Sequence, residues 1–173
     1  FNQPLSGNMG NRLVIVHGDQ PREVRFNFVS AEYFKTLSIQ ILKGRQFSSE
    51  EVRSRVPVVV VSESAANQFW PGQDPIGQQI AMQDDAAGNT PYAVVGVARD
   101  TRSRHLWQKD GAFIYVPVPD TKSRYLLVQT RSDPSGTMSV VRSLAASIDP
   151  ALRTSVRQLD DSLNVQTVPF RAL

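Results

Sequence analysis

Phe69-Trp70-Pro71-Gly72-Gln73-Asp74-Pro75-Ile76-Gly77 is the most informative stretch of the chain. Two aromatic residues end a short amphipathic run. Pro71 then lacks an amide donor and Gly72 accepts backbone angles that other residues avoid, so the run stops. Asp74-Pro75 imposes a second extended or turn step, because a residue before proline is pushed out of the helical region. Gly77 closes the unit. The stretch therefore predicts a short helix that ends on an aromatic anchor and turns tightly into a strand. It encodes no catalytic chemistry.

The segments on either side predict alternating strands and short helices. Val58 to Val61 is a continuous β-branched run, as in a strand buried on both faces. Ser62 is placed to cap the following helix, in which Ala65 and Phe69, like Ala66 and Trp70, share faces. Upstream, Leu13–Val16 and Val24–Phe28 read as strands, the latter by its alternation. Ser30 is a candidate N-cap for a helix holding Tyr33, Phe34 and Leu37, with Glu32 in its first turn. A strand at Ile39–Leu42 follows, and then a charged, solvated connector at 48–55. Downstream, Gln78–Met82, Tyr92–Ala98 and Phe113–Val118 read as strands, with a loop from Asp84 to Asn89.

Tyr125–Thr130 opens what reads as a second β-α-β unit. Asp133 caps its helix and Pro134 stands at the first position, where its missing donor costs nothing. Met138, Val141, Leu144, Ala145 and Ile148 form one apolar face, and Asp149-Pro150 ends it. Arg153–Gln158 is the expected returning strand, and Leu159–Val168 a further helix.

The composition narrows the function. A chain of 173 residues, 40% of them hydrophobic, can bury a real core. No apolar run approaches the roughly 20 residues that span a bilayer, and Phe1 opens no recognisable signal peptide. The formal charge is only +3. The tight basic cluster of Arg99, Arg102 and Arg104 is too small for a nucleic-acid footprint. With no cysteine, disulfides and thiolate metal sites are excluded.

Candidate reactive groups are sparse. His17 and His105 have no regular spacing to carboxylates, whereas zinc needs three or four ligands in defined geometry. Asp84-Asp85 and Asp160-Asp161 are adjacent pairs, not an acid–base dyad. Ser62 and Ser64 lack a nucleophile-elbow context and read as caps. No phosphate-binding loop is present. The sequence thus predicts no catalytic, cofactor-binding or metal-binding residue, no cofactor and no enzyme. Phe69 and Trp70 could form a ligand patch, but packing against the Val58–Val61 strand is favoured. Arg45 could anchor a carboxylate across the subdomain, the alternative being an exposed arginine.

Several stretches, in order, resemble the periplasmic core domain of MacB-like ABC transporter permeases. They are Val29-Ser30-Ala31-Glu32-Tyr33-Phe34, Gly44-Arg45-Gln46-Phe47, Val58 to Gly77, Tyr92 to Val97, Phe113 to Pro117, Ile148-Asp149-Pro150 and Pro169 to Leu173. Ala31-Glu32 departs from the family's usual Pro-Gly. The residues carrying the motif are Tyr33, Phe34, Gly44, Arg45, Phe69, Trp70, Pro71, Gly72, Pro75 and Gly77, with structural roles expected.

The resemblance implies an α+β fold. A porter-like subdomain of two β-α-β units would be built from both chain ends (residues 1–54 and 119–173), with a mostly-β, sabre-like insertion at 55–118. It implies a periplasmic domain of an inner-membrane permease, cut out between transmembrane helices, with both ends approaching one bilayer face. That domain would relay ATP-driven movement, a process called mechanotransmission, for export or extraction of a substrate. ATP would be hydrolysed on a separate cytoplasmic domain. The implied partners are the permease's own transmembrane helices, that ATPase, a second permease copy, and a periplasmic adaptor or a lipophilic substrate. No nucleic acid is implied. The rival reading is an extracytoplasmic ligand-binding or sensor domain with a cleft lined by convergent polar groups.

Overall fold

A computed structural model describes residues 10–16, 20–84, 88–101, 111–118, 126–131, 133–149 and 155–158. The chain forms two compact units, Phe1–Leu127 and Val128–Leu173. The first contains β1 (Gly10–Val16), β2 (Arg22–Val29), α1 (Tyr33–Thr36), β3 (Ile41–Gly44), α2 (Ser49–Ser54), β4 (Val58–Ser62), α3 (Glu63–Phe69), β5 (Gln79–Asp84), β6 (Gly88–Ala98) and β7 (Phe113–Pro117). The second contains α4 (Pro134–Ile148).

All seven strands join one sheet in the order β3-β6-β4-β7-β2-β1-β5, and β5 also pairs with β6. Six strands therefore close into a ring, and β3 lies outside it on β6. The pairing is mixed. β4 runs parallel to β6 and antiparallel to β7, while β2 runs parallel to β7.

β4 shows why the sheet is stable. All five of its residues are buried. Side chains alternate across a strand, so Val59 and Val61 enter one apolar cluster and Val58 and Val60 another. The first cluster joins Ala65, Phe69 and Trp70 to Val14, Ile80, Val94 and Ile114. The second joins Phe34, Phe47 and Val52 to Phe113 and Tyr115. Helices thus cover both faces of β4, which matches its unbroken valine run.

The structure corrects the expected architecture. β2 and β3, from the 1–54 segment, pair with β7 and β6 from the 55–118 segment. The expected boundary at 54/55 therefore does not separate two sheets. The compact units divide after Leu127, not at 118/119. β2 and β3 run in the same sense, but β7, β4 and β6 stand between them, so β2-α1-β3 does not join adjacent strands. No strand forms at 126–130 or 155–158. Leu126 and Val128 are exposed, so this segment buries no apolar face of the kind that holds a strand in a sheet. The remainder of that expected unit, and the helix expected over 159–168, lie outside the described residues.

Smaller expectations also shift. The N-cap of α1 is Glu32, whose side chain makes no capping bond, while the Ser30 carbonyl accepts from Tyr33 N at 3.2 Å. The supposed connector at 48–55 contains α2, whose capping box joins Ser48 and Glu51. β5 reaches Asp84 and β6 begins at Gly88, and the two pair antiparallel, so both ends of the expected loop from Asp84 to Asn89 belong to strands. Ser62 caps α3 as expected, accepting from Ala65 N at 3.1 Å. Asp133 caps α4, with Pro134 in its first turn, and Asp149 ends it.

Candidate functional site

Three of the motif residues, Gly44, Arg45 and Gly77, meet on β6 at Val94–Gly96. One edge of β6 pairs with β4. The other edge receives two chain segments in succession. Gly77 N donates to Val94 O at 2.9 Å, and Val94 N donates to Gln78 O at 2.9 Å. One residue further on, Arg45 N donates to Val95 O at 3.0 Å and Gly44 lies opposite Gly96.

Two glycines permit this approach. A Cβ on Gly44 would lie 2.3 Å from Val95 O and 2.8 Å from Ile76 Cδ1. A Cβ on Gly96 would lie 2.2 Å from Arg45 O. Gly44 also has φ +66°, a left-handed conformation that side chains disfavour. The three segments could not pack this closely with any larger residue at either position.

The turn that delivers Gly77 is built as the sequence suggests. Trp70 N bonds back to Ala66 O at 3.0 Å, and Gly72 adopts φ +72°. The Asp74 carboxylate accepts from Ile76 N at 3.2 Å, a local turn bond. Pro75 is buried, Pro71 is exposed, and Gly77 has φ +83°. Phe69 and Trp70 point into the core and meet edge to face at 5.8 Å. Trp70 is only 1% exposed, so it is core and not part of a surface ligand patch. Lys43 Nζ lies 4.0 Å from Asp74 Oδ1, a loose solvent-exposed pair across the junction.

Tyr33 and Phe34 serve the opposite face. Phe34 packs on Tyr115 at 5.0 Å and on Phe47 at 5.9 Å, and Tyr33 lies 5.9 Å from Tyr115. They are buried and belong to the second apolar cluster.

Arg45 does find a carboxylate, but a local one. Its two terminal nitrogens donate to the two oxygens of Glu51, each at 2.7 Å. Glu51 also accepts from Ser48 N at 2.9 Å. The Arg45 hydrogen bonds, with help from Ser48, lower the Glu51 pKa from 4.5 to about 2. The same pairing raises that of Arg45. A shallow depression beside this pair is lined by Arg45, Ser48, Glu50, Glu51, Ser54 and Val56.

The serines are structural. Ser62 Oγ accepts from Phe113 N at 3.1 Å as well as from Ala65 N, tying α3 to β7. Ser64 donates through N and Oγ to the Asp100 carboxylate, at 2.9 and 2.6 Å. Among the described residues no group of three or more His, Cys, Asp or Glu is placed to hold a metal ion. His17, His105, Asp85, Asp160 and Asp161 lie outside the described residues.

Sequence reasoning missed Glu51 and Asp100. The Ser48-x-x-Glu51 spacing is a legible capping-box signal. Asp100 meets Ser64 across 36 positions and carries no local signal.

Two solved structures with a similar fold are a periplasmic region and an extracellular domain. The periplasmic region of MacB from Actinobacillus actinomycetemcomitans superposes with a TM-score of 0.60 at 16% identity, covering 80% of this chain and 63% of that one. The extracellular domain of the noncanonical ABC-type transporter YknZ from Gram-positive bacteria gives 0.59 at 17% identity, covering 82% and 73%. These likenesses concern the fold alone.

The sequence model of the MacB-like periplasmic core domain family matches residues 4–159, and the chain belongs to that family. It is thus a periplasmic domain. Among curated relatives, the probable syringafactin export ATP-binding/permease protein SyfD of Pseudomonas syringae pv. tomato is 30% identical over 96 residues. That match covers 55% of this chain and 14% of the relative. The macrolide export ATP-binding/permease protein MacB of Hahella chejuensis is 30% identical over 78 residues, 44% of this chain and 11% of the relative. The matched part is thus a small fraction of each relative's length. Among the described residues no helix is long and apolar enough to cross a membrane.

Proposed function

We propose that this chain is the periplasmic domain of a MacB-type ABC transporter permease and relays ATP-driven movement into the periplasm. The observation that carries the reading is the family match over residues 4–159. The relatives named as export ATP-binding/permease proteins support it. On this reading ATP is hydrolysed on a separate cytoplasmic domain, and the periplasmic domain is not itself catalytic. Its partners are the transmembrane helices of its own permease, that ATPase, a second permease copy, and a periplasmic adaptor or a lipophilic substrate.

The ring of paired strands, packed on both faces of β4, favours movement of the first unit as one body, because packed cores do not deform smoothly. In this scheme Gly44, Arg45, Phe69, Trp70, Pro71, Gly72, Pro75 and Gly77 hold the junction on β6. Tyr33 and Phe34 hold the opposite face. Their role is to keep the relay stiff.

The test uses the full-length permease with its ATPase in liposomes. Spin labels are placed at the exposed positions Arg53 and Gln73. ATP should change the distance from the Arg53 label to labelled lipid headgroups, while the Arg53–Gln73 distance stays fixed. An Arg53–lipid distance that ignores ATP would sink the relay. A changed internal distance would sink the rigid-body mechanism.

A further inference from the structure

We draw no further inference here: the strongest candidate, the exposed apolar stripe of Val140, Leu144 and Ile148 along α4, carries none because nothing in the structure shows what covers it.

Discussion

Trp70 follows the last turn of α3 and precedes an exposed proline and glycine, yet it is 1% exposed. Its indole fills space between α3 and the strands that carry Ile80, Val94 and Ile114. Emptying such a site costs about 3–5 kcal/mol. Trp70→Ala should therefore lose about that much stability in urea unfolding, and a loss below about 1 kcal/mol would show that the indole is not a core anchor. The glycines divide by surroundings. At Gly72 nothing lies within 4 Å of where a Cβ would stand, so Gly72→Ala meets only the left-handed backbone at φ +72°. That costs about 1–2 kcal/mol. Gly44→Ala meets the same backbone penalty plus a carbonyl oxygen 2.3 Å away. Forcing the segments apart adds about 1–3 kcal/mol. Thermal unfolding should rank Gly44→Ala well below Gly72→Ala; equal midpoints would refute the close approach of β3 and β6.

At the scale of elements, α2 is only six residues long and needs help to persist. It has a capping box, and Glu51 serves both the cap and Arg45. The folded pKa of Glu51 is depressed, so the stability it contributes is present above its ordinary value of 4.5. That contribution is lost as pH falls from there through about 2. Arg45 keeps 55% of its side chain in solvent, which screens the pair. The ion pair is therefore worth about 1 kcal/mol, the upper end for a surface pair, and not the full shift. Glu51→Gln should lose about 1 kcal/mol at about pH 7. Its unfolding free energy should converge on the parent's as pH drops from 4.5 toward 2. A gap between the two that stays constant over this window would mean that the ion pair contributes nothing.

For the whole molecule, the family match covers most of the chain, whereas its curated relatives are several times longer. On the relay reading, export belongs to the assembly and not to this domain. The isolated domain should then bind neither nucleotide nor zinc specifically. Isothermal titration with ATP and with zinc chloride checks this directly, and micromolar affinity for either would point back to the ligand-binding reading.

What the sequence determined was local. The valine run at 58–61, the Ser62 cap, the turn from Trp70 to Gly77 and the Asp133-Pro134 start of α4 are all set by side chains within a few residues of one another. Their outcome is visible in the strand burial, in the Ser62 bond to Ala65 and in the positive φ at Gly72 and Gly77. The capping box of α2 was equally local, but the charged composition of 48–55 obscured it. Tertiary structure decided which strands are neighbours. Alternation shows that β2 is a strand, yet it cannot say that β7 is its neighbour, nor that the strand read at Ile39–Leu42 pairs with β6, because any half-buried strand offers the same backbone ladder. The family resemblance suggested a boundary at residue 55, and the sheet runs across it. The meeting of Gly44 with Gly96 depends on the β3–β6 pairing, and that of Ser64 with Asp100 on the parallel pairing of β4 with β6, so both could be fixed only by the folded chain.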